Sequence, residues 1–90
     1  MKVIKIGAAW CSGCLVMKPR WQELEKEYSW LKTEYYDFDT DADKIRVYEI
    51  TSGVLPVFIF LDRQDKELLR LTGEIDKKEL VTYIEKFKNS

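Results

Sequence analysis

The chain has 90 residues, 46% of them hydrophobic and 34% charged, which predicts one folded domain over residues 1–90 with a single hydrophobic core. The near balance of 15 basic and 16 acidic residues, for a net charge of -1, argues against a nucleic acid or an anionic membrane as partner. No segment is long and apolar enough to predict a membrane span, and the first residues do not resemble a signal peptide, so we expect a cytoplasmic protein. We also expect it to be a monomer.

The first half of the chain alternates between strand-like and helix-like patterns. Residues 2–7, in which lysine alternates with valine and isoleucine, predict a short strand. An apolar stripe at steps of three and four then predicts a helix from about residue 11 to residue 29. The members of this stripe are Cys11, Cys14, Met17, Trp21, Leu24 and Tyr28. Residues 32–39 predict a second strand, and a shorter helix is expected over about residues 42–50.

The second half predicts a buried strand, a hairpin and a final helix. The uninterrupted apolar run at residues 54–61 is typical of a strand buried on both faces. A polar turn separates it from a return strand at residues 67–71. A last helix begins near Asp76, and its apolar stripe consists of Leu80, Ile84 and Phe87. The order β-α-β-α-β-β-α predicts an α/β fold with a mixed four-stranded sheet and helices on both faces.

The chain has two cysteines, Cys11 and Cys14, which lie three positions apart at the start of the first predicted helix. A pair at this spacing can close a disulfide with little movement of the backbone. In a reducing compartment, neighbouring thiols are more often catalytic or metal-binding than structural. Because the chain has no histidine, the two thiols do not complete a closed zinc site. We therefore predict no metal or other cofactor, and a metal shared between two chains is kept as an alternative.

Several short motifs follow one another in an order known from one protein family. They are Trp10-Cys11-Ser12-Gly13-Cys14, Pro19, Asp37-Phe38-Asp39, Leu55-Pro56 and Gly73. Through these motifs the chain resembles the thioredoxin superfamily over nearly its whole length, which implies a thioredoxin-like fold. The resemblance also implies that Pro56 is cis and lies beside the cysteines, where the backbone before it pairs with an extended substrate. Trp10, Leu55, Pro56 and Gly73 are the substrate-binding residues that it suggests.

The position of the two cysteines, together with the resemblance, predicts thiol-disulfide exchange. Cys11 faces the free amide groups and the positive dipole end of the helix, which stabilise a thiolate, so it is the predicted nucleophile. Cys14 is predicted to be more buried and to act as the resolving thiol. Trp10 is expected to shield the pair from water. The expected partners are proteins that contain disulfides, with a thioredoxin reductase or glutathione as electron donor.

Three features depart from the family pattern around the cysteines. Ser12-Gly13 replaces the more frequent Gly-Pro or Pro-Tyr dipeptide. Lys5 stands where thioredoxins bury an aspartate that helps to deprotonate the resolving thiol, and Tyr35 stands where they have the accompanying lysine. Two arrangements are expected with equal weight. In one, Lys5 points toward the cysteines, stabilises a thiolate and makes Tyr35 a hydrogen-bond partner. In the other, Lys5 extends into solvent.

Two other functions are kept as alternatives. One is a glutaredoxin-like protein that uses glutathione, with Asp76 as the residue that binds the glutathione amine. Against it, Gly73 is a single glycine where glutaredoxins commonly have two before an acidic residue. The second alternative is a binding module that uses the fold only as a scaffold, without catalysis, or that shares a metal through its thiols.

Overall fold

The computed structural model describes residues 1–50 and 54–90. Within these two ranges, four strands and three α-helices follow one another in the predicted order. They are β1 (Lys2–Gly7), α1 (Ser12–Glu27), β2 (Lys32–Asp37), α2 (Ala42–Ile45), β3 (Val57–Leu61), β4 (Glu67–Thr72) and α3 (Lys77–Phe87), with a 3₁₀ turn at Arg46–Tyr48 directly after α2. No helix in these ranges has the length and apolarity that crossing a membrane requires.

The strands form one mixed sheet in the order β2-β1-β3-β4. β1 pairs with β2 in parallel and with β3 antiparallel, and β3 pairs with β4 antiparallel. A parallel pair needs a long crossover connection, and α1 supplies it between β1 and β2. The register places Gly7 of β1 opposite Asp37 of β2, so both strands end at the same edge of the sheet. The loop that leads to the cysteines and the loop after β2 are therefore neighbours.

Both faces of the sheet are covered, as the sequence predicts. On one face, α1 and α3 pack against the sheet through a buried cluster of Val3, Met17, Trp21, Leu24, Leu31, Phe58, Phe60, Leu80 and Ile84. On the other face, α2 packs against a cluster of Ile4, Ile6, Ile45, Val57, Ile59 and Leu61. Trp21 anchors α1, because its buried ring lies with its centroid 5.3 Å from that of Phe58 on β3. The helix that carries the cysteines is thus held firmly on the centre of the sheet.

Several predicted boundaries shift in the structure. The helix expected over residues 42–50 is α-helical only to Ile45 and then tightens into the 3₁₀ turn. Glu49 ends it in the left-handed conformation, with φ of 51°, which a right-handed helix does not continue through. β3 begins at Val57 rather than at residue 54, because Pro56 has no N–H to donate to a neighbouring strand. The first long helix and the second strand also end two residues earlier than predicted.

Candidate active site

Cys11 is the N-cap residue of α1, in an extended conformation with φ of -92° and ψ of 113°. Its sulfur accepts a hydrogen bond from the backbone N–H of Cys14 at 3.2 Å, and its own N–H donates to the carbonyl of Ala8. An N-cap side chain satisfies one of the unpaired amides of the first helical turn, and here the sulfur does so. The same amides and the helix dipole favour negative charge. The start of α1 therefore suits a Cys11 thiolate.

Cys14 differs from Cys11 in its exposure and in its proton affinity. The prediction that Cys14 is the more buried of the two is wrong, because Cys11 is only 7% exposed whereas Cys14 borders an open cavity. Partial burial of the Cys14 thiol nevertheless raises its pKa to about 11, and its hydrogen bond with Cys11 acts in the same direction. Cys14 therefore stays protonated at neutral pH. Any reaction through the Cys14 sulfur must first remove that proton.

The cavity beside Cys14 has a volume of about 440 Å³. It opens between β1, α1 and the turn that contains Pro56. Its polar and ionisable wall residues are Lys5, Cys14, Lys18, Gln22, Glu25 and Tyr35. Among the described residues, no three histidine, cysteine or acidic side chains gather closely enough to hold a metal ion. The cavity thus brings titratable groups to the Cys14 side of the pair, while Cys11 faces the helix.

The bond between Leu55 and Pro56 is cis, as the resemblance predicts. The Pro56 ring packs close to the first turn of α1, since a Cβ placed on Gly13 would stand 3.3 Å from the Cδ atom of Pro56. On the other side, the N–H of Gly73 donates to the carbonyl of Pro56 at 2.8 Å. Gly73 makes this contact with φ of 84°, a conformation that glycine adopts without strain. The structure therefore brings Leu55, Pro56 and Gly73 to the same side of the fold as the cysteines.

Trp10 lies on the surface next to Cys11, with 62% of its area exposed. Its indole N–H donates to a carboxylate oxygen of Asp39 at 2.7 Å. The sequence analysis names Asp39 only as part of the Asp37-Phe38-Asp39 motif and does not identify it as a partner of Trp10. The parallel pairing of β1 with β2 indicates this contact, because it makes the loops after the two strands neighbours. The hydrogen bond orients an exposed aromatic ring beside the pair.

Lys5 follows neither of the two arrangements that the sequence suggests. Its ammonium group donates to Glu25 at 2.7 Å and lies 5.9 Å from the centroid of the Trp21 ring. The same oxygen of Glu25 accepts a hydrogen bond from the Thr33 hydroxyl at 2.7 Å. Burial raises the pKa of Glu25, but the hydrogen bonds from Lys5 and Thr33 outweigh it and lower the pKa below its ordinary value. The charge of Lys5 is therefore balanced by Glu25, which the sequence analysis did not identify as a site residue.

Ser12 and Tyr35, two further predicted site residues, differ in their surroundings. Ser12, the first residue of α1, is exposed. Tyr35 lies opposite Lys5 in the register of β1 and β2, and its ring packs against Gly7 at the mouth of the cavity. Tyr35 is 54% exposed, but partial burial of its hydroxyl and, second, the nearby charge of Asp37 raise its pKa above the ordinary value. Tyr35 is therefore a neutral hydroxyl group at neutral pH.

A family model described as Thioredoxin matches residues 1–86. The match includes both cysteines and the cis-proline. The chain belongs to the thioredoxin family. Its predicted mixed-sheet, thioredoxin-like fold is confirmed by solved structures of thioredoxins, with which it superposes over most of its length.

Three of these structures show the range of similarity. A thioredoxin from Fasciola hepatica superposes with a TM-score of 0.82 at 26% identity, covering 94% of this chain and 78% of that one. Thioredoxin NaTrxh from Nicotiana alata gives a TM-score of 0.79 at 28% identity, with 96% and 73% covered. Thioredoxin 1 from Thermosipho africanus TCF52B shares the fold, with a TM-score of 0.81 at 23% identity and coverage of 98% and 94%. Among curated protein sequences, none matches this chain.

Proposed function

We propose that this thioredoxin-family protein is a thiol-disulfide oxidoreductase that reduces disulfides in other proteins. The observation that carries the proposal is the position of the Cys11 sulfur at the N-cap of α1, where it receives the N–H of Cys14. A thiolate is the nucleophile in disulfide exchange, and a helix N-terminus lowers its free energy. Because its pKa is raised to about 11, Cys14 remains a protonated thiol during the first step.

The proposed reaction has two exchange steps. The Cys11 thiolate attacks one sulfur of the target disulfide, whose S–S bond breaks, and the second target sulfur leaves as a thiolate that takes up a proton from water. Cys14 then loses its proton and attacks the Cys11 sulfur. The bond between Cys11 and the target breaks, and the electron pair leaves with the target sulfur. The target gains two electrons and becomes a dithiol, while the protein is oxidised to a Cys11-Cys14 disulfide.

The surface around Cys11 supports a polypeptide substrate. Trp10 offers an exposed aromatic ring on one side, and Val54 is 53% exposed on the segment that leads to the cis-proline. In the proposal, the backbone of Leu55 pairs with an extended target segment and Pro56 holds that segment next to Cys11. Gly73 holds Pro56 in place from the opposite side, because its N–H donates to the Pro56 carbonyl. An extended backbone is recognised mainly by main-chain hydrogen bonds, which leaves the choice of target to the side chains around it.

The proposed activity is tested by reduction of insulin disulfides in the presence of dithiothreitol. The wild-type protein is expected to accelerate the reaction, and the Cys11→Ser variant is expected to show only the background rate. The Cys14→Ser variant supplies the matched control, because it retains the nucleophile and should accumulate a mixed disulfide on Cys11 that mass spectrometry detects. Equal rates for wild type and Cys11→Ser would contradict the proposal and favour a binding module that uses the fold as a scaffold.

The proposed electron donor is a thioredoxin reductase, and glutathione is the alternative. Asp76 begins α3 as its N-cap, but its carboxylate makes no cap hydrogen bond to the helix, so it is available to the amine of glutathione. Turnover with NADPH and a thioredoxin reductase, compared with turnover with glutathione and its own reductase, separates the two donors. Faster turnover with glutathione, lost in an Asp76→Asn variant, would assign the protein to the glutathione-dependent class.

A further inference from the structure

Gly7, the last residue of β1, lies between the resolving thiol and a tyrosine hydroxyl. A Cβ placed on Gly7 would stand 3.0 Å from the sulfur of Cys14 and 3.2 Å from the hydroxyl oxygen of Tyr35. Two atoms this close to a common point are separated by no more than the sum of the two distances. Among the described residues the Tyr35 hydroxyl and the Cys14 sulfur are near each other without a direct hydrogen bond, and one water molecule or a small rotation of the tyrosine side chain would connect them. The missing side chain of Gly7 thus leaves the Tyr35 hydroxyl room beside Cys14.

The other ionisable groups on the cavity wall are paired with each other or largely exposed to solvent. Lys5 and Glu25 form an ion pair with each other at 2.7 Å. Lys18 lines the cavity from α1 but is an exposed residue. Cys11 is occupied at the helix N-cap, where its sulfur accepts the N–H of Cys14. The Tyr35 hydroxyl, by contrast, is a donor that lies next to the Cys14 sulfur across Gly7.

We propose that the Tyr35 hydroxyl donates a hydrogen bond to the Cys14 sulfur, directly or through one water, and thereby stabilises the thiolate that resolves the mixed disulfide. This inference rests on the proposed function and names the group that assists its second step. Cys14 releases its proton to water, and its sulfur forms the bond to Cys11 as the target sulfur leaves with the electron pair. Tyr35 keeps its own proton throughout. A hydrogen bond to a charged acceptor is stronger than one to a neutral thiol, so the contact favours the thiolate.

The position of Tyr35 fits this role in two further respects. Its pKa is raised by burial first and by the charge of Asp37 second, so the hydroxyl is a donor at neutral pH. Tyr35 also belongs to β2, whose pairing with β1 sets the hydroxyl over Gly7, so its position depends on the sheet rather than on a loop. A side chain on a paired strand holds its donor more precisely than one on a loop does.

The test uses the aromatic disulfide 5,5'-dithiobis(2-nitrobenzoate) in single-turnover stopped-flow measurements on the reduced full-length chain. The first coloured thiolate is released when Cys11 attacks the reagent, and the second is released when Cys14 resolves the mixed disulfide. The Tyr35→Phe variant is expected to slow the second release by about fivefold, the factor that a hydrogen bond of about 1 kcal/mol supplies. The first release should keep its rate. The pH dependence of the second release should move to higher pH, which a purely structural effect would not produce.

Tyr36→Phe is the matched control on the same strand. The Tyr36 hydroxyl donates to Glu34 at 2.9 Å, and the ring packs with the cluster on the opposite face of the sheet. This variant should leave both releases unchanged. An equal second release in Tyr35→Phe and wild type, an equal loss in both tyrosine variants, or an equal slowing of both releases would each overturn the inference. A wild-type protein that releases no second thiolate would instead refute the proposed function itself, so the two failures are distinguishable.

Discussion

At the scale of single residues, the ion pair of Lys5 with Glu25 decides how charge is distributed under the candidate active site. The two side chains are 18% and 31% exposed, so the pair is only partly screened by solvent. Thr33 completes the hydrogen bonding of the carboxylate, and the Trp21 ring lies beside the ammonium group. A paired charge at this depth costs little, whereas an unpaired one would be expensive. Lys5 is therefore tolerated at a half-buried position because Glu25 faces it from α1.

We expect the Glu25→Gln variant to lose about 1 kcal/mol of unfolding free energy at neutral pH, since the amide keeps a hydrogen bond but leaves Lys5 without a counter-charge. Urea unfolding followed by circular dichroism measures the change. Glu23→Gln is the control on the same helix, because the Glu23 side chain is 64% exposed and lies 3.6 Å from Lys77. Its substitution should change stability by less than about 0.5 kcal/mol.

The same pair gives a pH dependence with a defined sign. Because the pKa of Glu25 is lowered in the folded protein, its contribution is fully present above the ordinary value of 4.5 and is lost as the pH falls through the lower folded value. The stability difference between wild type and Glu25→Gln should therefore shrink on acidification to about pH 3. A difference that stays constant from neutral to acid pH would contradict the assigned ion pair.

At the scale of the elements, α1 depends on its N-cap residue and on its packing. The helix runs without a break from Ser12 to Glu27 although it contains Pro19, and its buried face of Met17, Trp21 and Leu24 holds it on the sheet. Its first turn has no acidic residue to complement the dipole. The Cys11 sulfur is thus the cap on which the first turn relies.

Replacement of Cys11 by serine or alanine separates the capping role from the proposed redox role, because both variants lack the proposed nucleophile. Serine is a favoured N-cap residue and alanine cannot cap. Cys11→Ser is therefore expected to be more stable than Cys11→Ala by about 1 kcal/mol in urea unfolding of the reduced proteins. Equal stability of the two variants would show that the N-cap hydrogen bond contributes nothing to the fold.

The turn after β4 depends on backbone conformation rather than on space. Gly73 has φ of 84°, and no atom lies within 4 Å of the place where its Cβ would stand. Gly73→Ala should therefore cost about 1 kcal/mol or more through strain alone, and Gly73→Asn should cost less because asparagine tolerates a left-handed conformation. Thermal unfolding of both variants measures the order. An alanine variant as stable as the asparagine variant would contradict this account.

At the scale of the whole molecule, the site is assembled where β1 and β2 end together. The parallel register brings the loop with Trp10 next to the loop with Asp39, and it sets Tyr35 beside Gly7. The turn with Pro56 closes the site from β3, the neighbour of β1 on the other side. Three strands that are distant in sequence thus contribute to one edge of the sheet.

This assembly explains how far the sequence could predict the molecule. The order of the elements follows from apolar periodicity, which is local, and the cis bond at Pro56 is what the resemblance to the thioredoxin superfamily implies. The partners of Lys5 and Trp10 lie 20 and 29 positions away along the chain, and no local pattern identifies them. The greater burial predicted for Cys14 fails because a helical stripe does not reveal that a cavity opens against one of its members.

The capping role of Cys11 links the stability of the first turn of α1 to the proposed redox reaction. The sulfur that accepts the N–H of Cys14 is also the atom that would be oxidised in that reaction. A thiolate accepts such a hydrogen bond more strongly than a disulfide sulfur does, so the first turn of α1 is tied to the reduced form. Because the same few atoms would serve both purposes, a substitution in this turn of helix is expected to change the stability of the fold and the proposed reducing power together.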